Sequence, residues 1–237
     1  MDSARPATEN GFTVLPLGDA AITVEFGRTI APELNERALT FAQAVRMHEW
    51  EGVLDIVPAY ASVSIHVDPL RLPISTLSER LRDVSWDVNT ALSGRTHRIP
   101  VLYGGEAGPD LLDVAAFARR SLADTIRLHH ETLYRVYMLG FSPGFPYMGL
   151  VHASIALPRL VTPRTVVPAG SVGIAESQTG IYPTATPGGW RIIGRTPVNV
   201  YQPNSSQPFL LSPGDSVRFY PIDADEFTRL SHHAAPA

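Results

Sequence analysis

Apolar and polar positions change period several times along the chain, and each change predicts an element. Phe12 to Leu17 (FTVLPL) and Ala21 to Phe26 (AAITVEF) are β-branched and aromatic runs joined by the turn pair Gly18-Asp19, which predicts a β-hairpin. Leu34, Ala38, Phe41 and Val45 then recur on a 3.6-residue period behind Pro32, a residue suited to a first helical turn. After the apolar run Val53 to Val57, Val63, Ile65 and Val67 alternate with Ser64, His66 and Asp68 as in a half-buried strand. Ile74, Leu77, Leu81 and Val84 mark a second amphipathic helix. The order ββαββα predicts a two-layer domain, an open sheet with helices on one face. A boundary placed near Ser93-Gly94 gives domains 11–93 and 94–225.

The second half has a different texture. HRIPVLY reads as a strand and GGEAGPD as a loop, with Asp110 placed to start a helix through Leu111, Val114, Ala115 and Ala118. Ser121 and Asp124 match a capping box for a helix running to about Glu131, and LYRVYML (Leu133 to Leu139) reads as a strand. Short apolar pieces follow between turn signals: SVGIA, TGIYP, WRIIG, PVNVY and DSVRFY. That spacing predicts a β-barrel or sandwich, with SHHAAPA, including His232 and His233, as a frayed tail. The fold class is therefore α+β.

Composition removes whole chemistries. The chain has no cysteine, and all 19 of its basic residues are arginine. Thiolate nucleophiles, disulfides and cysteine zinc sites are excluded, as are a Schiff-base lysine, a P-loop lysine and a lysine carrying biotin. A pI of about 6.0 and the absence of a basic cluster with interleaved aromatics argue against nucleic acid. MDSARPATEN lacks the regions of a signal peptide, and no run approaches the roughly 20 apolar residues of a membrane span, so a cytoplasmic protein without membrane contact is expected.

The run from Gly140 to Thr196 holds half of the chain's 18 glycines, alternating with prolines, which specifies tight, predetermined turns. Within it Arg159, Arg164, Arg191 and Arg195 face one acid, Glu176, so an anionic small molecule is the natural ligand. GFSPG (Gly140 to Gly144) fits the pattern of a hydrolase nucleophile elbow with Ser142 in the nucleophile's place. Pro143, however, has no N–H to donate to an oxyanion hole, which excludes that mechanism. GGEAGPD reads as a structural loop whose Glu106 and Asp110 would repel phosphate and fit a cation or a substrate amine better. His129 and His130 end a helix, where the dipole favours them; His129 is the one placed to face the following loop, and no metal site is expected.

The sharper candidates are Arg164 and Arg195, whose forks suit a carboxylate or phosphate, with Gln178 and Thr179 to orient a small polar group such as an amide. Tyr147, Tyr182 and Trp190 would wall such a pocket or belong to the barrel core.

At these residues the chain resembles the family that includes allophanate hydrolase subunit 1, the KipI sensor-kinase inhibitor and the B subunit of 5-oxoprolinase. The likeness runs through GDAAITVEF, DIVPAYASVSI, IPVLYGGEAGPDL, GFSPGFPYMGL, PRTVVPAGSVGIA, QTGIYPTATPGGWRIIGRTP and SPGDSVRF, in order. It departs at Glu176, where members often have glycine. The resemblance implies a cyclophilin-like β-barrel behind the N-terminal domain. It also implies one subunit of an ATP-dependent 5-oxoprolinase, inactive alone, that converts 5-oxoproline, ATP and water to glutamate, ADP and phosphate. Its partners would be a homologous carboxyltransferase-like C subunit and, as third member, the A subunit of that complex. No cofactor would be intrinsic, and ATP with magnesium would act at the level of the complex. Arg164, Gln178 and Arg195 would be catalytic, and Ser142, Tyr147, Thr179, Trp190 and His129 would contact a small anionic or lactam substrate. The alternatives within the resemblance are an allophanate hydrolase or urea carboxylase-type assembly and a KipI-like inhibitor of a sensor histidine kinase.

Overall fold

The computed structural model describes residues 11–87 and 94–233, with only the backbone of His233. The expected features of residues 1–10 and 234–237, and Ser93 of the predicted boundary, lie outside the described residues. The chain divides into two units, Met1–Ser93 and Gly94–Ala237.

In the first unit, strands β1 (Thr13–Pro16) and β2 (Ala21–Glu25) form the hairpin, followed by helix α1 (Pro32–Met47), strands β3 (Val53–Pro58) and β4 (Ser62–Val67), and helix α2 (Ile74–Arg82). The strands make one antiparallel sheet in the order β1-β2-β4-β3. Ile22 and Val24 of β2 and Val63, Ile65 and Val67 of β4 share a buried face, and Phe41 and Val45 of α1 and Leu77 and Leu81 of α2 close over it in one core. Pro32 opens α1, Glu33 lies in its first turn and Arg46 in its last, a charge order that favours the helix dipole. Asn35 is fully buried in α1, where its amide donates to the Ala59 carbonyl at 3.0 Å and ties the helix to the β3–β4 turn.

The second unit begins with β5 (Thr96–Tyr103), helices α3 (Leu111–Ala118) and α4 (Leu122–His130), and strands β6 (Tyr134–Leu139) and β7 (Pro146–Gly149). It continues with β8 (Arg164–Val167), β9 (Ser171–Ala175), β10 (Gln178–Ile181), β11 (Thr186–Gly188), β12 (Arg191–Arg195), β13 (Ser216–Pro221) and helix α5 (Ala224–His233). Seven strands close a barrel in the order β10-β7-β6-β13-β5-β12-β9, while β8 and β11 pair apart from it. Its neighbours are antiparallel except β5 and β13, which run parallel. Ile99, Val101, Val136, Met148, Ile174, Ile181, Ile193 and Val217 belong to its buried core.

Two expectations are corrected. PVNVY forms no strand: Tyr201 makes an isolated bridge to Phe209, and the Thr196 hydroxyl oxygen accepts from the Val198 N–H, bending the chain directly after Pro197. The tail is helical through His233 rather than frayed from Ser231. Its first turn is held by the Asp223 carboxylate, which accepts from the Glu226 N–H at 2.8 Å. Among the described residues no helix is long and apolar enough to cross a membrane.

Candidate functional site

The site is assembled from the loop before α3. Gly108 lets that loop lie flat on β12, because a side chain there would collide with the Ile193 carbonyl. The Gly104 N–H then donates to Ile193 O at 3.0 Å and the Asp110 N–H to Ile192 O at 2.9 Å. The pairing of β12 with β9 shifts register between Ile192 and Gly194. Beside that irregularity the buried Asp110 carboxylate accepts the Ile192 N–H through Oδ2 at 2.6 Å. Its other oxygen, Oδ1, accepts from Arg164 Nη2 at 2.7 Å. Asp110 precedes α3, yet its side chain makes no capping hydrogen bond to the helix. The cation that Asp110 suits is thus one of the chain's own arginines.

This hydrogen bond raises the Arg164 guanidinium above its ordinary pKa range and fixes one edge of it. Nη1 is buried and has no hydrogen-bond partner. Arg195 ends β12, and its Nε–H donates to the Ala169 carbonyl at 2.8 Å. Among the described residues no carboxylate makes an ion pair with Arg195, whereas Arg191 is paired with Asp113 at 3.1 Å. Arg164 and Arg195 line one cleft of about 320 Å³ together with Glu106, Ser171 and Phe227. Arg195, which has no ion-pair partner among the described residues, brings a guanidinium to this cleft, a group suited to a small carboxylate or to an oxygen that gains negative charge.

The other candidates lie elsewhere. Phe145, Tyr182, Trp190 and Tyr147 form an aromatic cluster behind Val167 and Ile192, two residues that also line the cleft. Phe145 is its centre, with ring centroids 5.1 Å from Tyr182, 5.2 Å from Trp190 and 5.0 Å from Tyr147. Trp190 and Tyr182 are buried, so they belong to packing; Tyr147 is half-buried, and burial raises its phenol pKa. Gln178 lies opposite Ala175, a member of this cluster, and is not part of the cleft wall. Ser142 sits in a turn in which the Phe145 N–H donates to its carbonyl, and its hydroxyl is buried without a partner.

His129 and Thr179 are inside the barrel. The fully buried imidazole bonds Tyr103 through Nδ1 at 2.8 Å and Thr179 Oγ1 through Nε2 at 3.0 Å. The Thr179 hydroxyl donates to the Gly173 carbonyl at 2.9 Å, so it must accept from Nε2–H. Nδ1 therefore accepts from the Tyr103 hydroxyl. Desolvation lowers the His129 pKa to about 3, with His130 adding to the effect, and burial pushes Tyr103 well up. The imidazole is neutral, fully bonded and unable to face a loop. Sequence reasoning missed Asp110 as the holder of Arg164 and Tyr103 as the partner of His129, since both contacts join residues whose proximity only the fold creates.

The carboxyltransferase domain family, subdomain C and D, matches residues 12–211. The B subunit of 5-oxoprolinase from Bacillus subtilis (strain 168) is 37% identical over 230 residues, 91% of this chain and 95% of its own. The chain belongs to the family of 5-oxoprolinase B subunits. The solved structure of TTHA0988 superposes with a TM-score of 0.78 at 41% identity, covering 87% of this chain and 40% of the solved one. The chain therefore spans less than half of that longer protein. The urea carboxylase of Kluyveromyces lactis, 21% identical, superposes with a TM-score of 0.76 over 94% of this chain and 23% of its own, a likeness of fold alone.

Proposed function

We propose that this chain is the B subunit of an ATP-dependent 5-oxoprolinase, a hydrolase complex that opens the lactam of 5-oxoproline to give glutamate. The observation that carries the reading is 37% identity along 95% of the Bacillus subtilis subunit of that name. Opening the lactam develops negative charge on its carbonyl oxygen, and the substrate keeps a carboxylate throughout. Arg164 and Arg195, which line one cleft, supply cationic donors for both. In this reading Thr179, committed to His129 and Gly173, makes no substrate contact.

We assign ATP and magnesium to the assembled complex, with a carboxyltransferase-like C subunit and the A subunit as partners. A chain without lysine has no ammonium to place on a phosphate, which accords with chemistry shared among subunits. The test is to mix the full chain with its cognate subunits and follow glutamate formation from 5-oxoproline with and without ATP. Turnover that needs both ATP and this chain is expected, and Arg164→Gln should lower kcat/KM at least about tenfold by removing a charge-assisted hydrogen bond. An assembled complex without turnover would overturn the reading. Unchanged kinetics in Arg164→Gln would remove Arg164 from the chemistry.

A further inference from the structure

Arg195 lines a second cleft as well, of about 410 Å³, together with Gly170, Thr196, Asn199, Phe227 and Ser231. The two clefts differ in charge. The first contains Glu106, and its Arg164 is neutralised by Asp110, so Arg195 brings the balance to zero. The second contains no acidic residue among the described residues that line it, so Arg195 leaves it one positive charge in excess. With Nε–H spent on the Ala169 carbonyl, the Nη donors of Arg195 are the ones left to meet a ligand. Thr196 is buried, and its oxygen already accepts from the Val198 N–H, so its hydroxyl proton is free to be donated. An uncompensated guanidinium beside a hydroxyl donor, in a pocket without a carboxylate, selects an anion rich in acceptors.

We propose that this second cleft is a binding subsite for a tetrahedral oxyanion of the phosphate class, held by Arg195 and Thr196. A carboxylate is satisfied by one planar fork, whereas phosphate also presents oxygens to a donor outside that plane. The subsite belongs to this chain alone and does not depend on which reaction the assembly performs.

The test uses the full chain and inorganic phosphate, following the phosphorus-31 line width at constant ionic strength. The wild-type chain and Arg164→Gln should broaden the line, because Arg164 belongs to the other cleft. Arg195→Gln should weaken binding at least about tenfold, the loss expected when charge-assisted hydrogen bonds are removed. Ser231→Glu, which leaves Arg195 in place and sets a carboxylate in the cleft, should do the same and decides the matter if Arg195→Gln does not fold. Competition by ADP would assign the site to a nucleotide's phosphate, and phosphate binding unaffected by ADP would assign it to the free ion; both support the subsite. A line that the wild-type chain does not broaden, or that Ser231→Glu broadens equally, overturns it.

Discussion

Asp110 holds Arg164 through a contact of 2.7 Å between Oδ1 and Nη2. Since its other oxygen accepts the Ile192 N–H, one carboxylate both orients the cleft arginine and satisfies β12 beside its irregularity. Asp110→Ala should therefore cost toward the upper end of the about 1–3 kcal/mol for leaving a buried donor unsatisfied. Asp110→Asn, which can still accept from Ile192, should cost about 1.5 kcal/mol, the low end for a hydrogen bond to a charged group. Urea denaturation of the two variants measures the difference, and equal losses would mean that the Ile192 bond contributes nothing.

The Thr179 hydroxyl links His129 Nε2–H to the Gly173 carbonyl within the barrel interior. Thr179→Val keeps the shape and removes the bridge, so it should destabilise the protein by about 2 kcal/mol through two unsatisfied groups. Thr179→Ser should retain most of the stability. Melting temperatures of the pair check this, and a valine variant as stable as the serine variant would contradict it.

His129 also makes stability depend on pH. Its folded pKa of about 3 lies below the ordinary value of 6.5, so between these limits the unfolded chain binds the extra proton. Stability should fall as pH drops below about 6.5, with this group contributing up to about 1.4 kcal/mol per pH unit. Urea midpoints at several pH values for wild type and His129→Gln isolate the contribution, since the variant should lack that part of the slope. Identical slopes would rule out a neutral buried imidazole.

Glu176 turns the chain from β9 to β10 with φ at 53°, a left-handed conformation that glycine adopts freely, and its side chain is exposed. Glu176→Gly should stabilise the protein by about 1 kcal/mol, since the strain of a side chain in that region exceeds the added freedom of the unfolded chain. A higher urea midpoint is expected.

Much of the first unit is legible from periodicity, because its contacts are local and its faces simple. Ala38, Phe41 and Val45 are buried on α1 as their stripe requires, and Val63, Ile65 and Val67 are buried on β4 as their alternation requires. In the second unit periodicity locates SVGIA, WRIIG and DSVRFY as strands, but a period of two specifies a face and never a partner. The parallel pairing of β5 with β13 joins Thr96 to Ser216 and leaves no mark in either segment. The same limit applies to the site. Arg164 and Arg195 are marked by an excess of cations and do share a cleft, while Thr179 and Gln178, paired by their adjacency in sequence, are sent by strand geometry to opposite faces and line no part of it.

The parallel ladder of β5 and β13 also dictates when the barrel can close. β5 is among the first strands of its unit to leave the ribosome, and it must wait for Ser216–Pro221 before that edge is covered. Until then Ile99 and Val101, buried in the closed barrel, lie on a strand with an unpaired edge. Closure across so long a stretch of chain also places its folding among the slow, non-local topologies. A stop codon before residue 216 would delete a stave of the barrel rather than trim a tail.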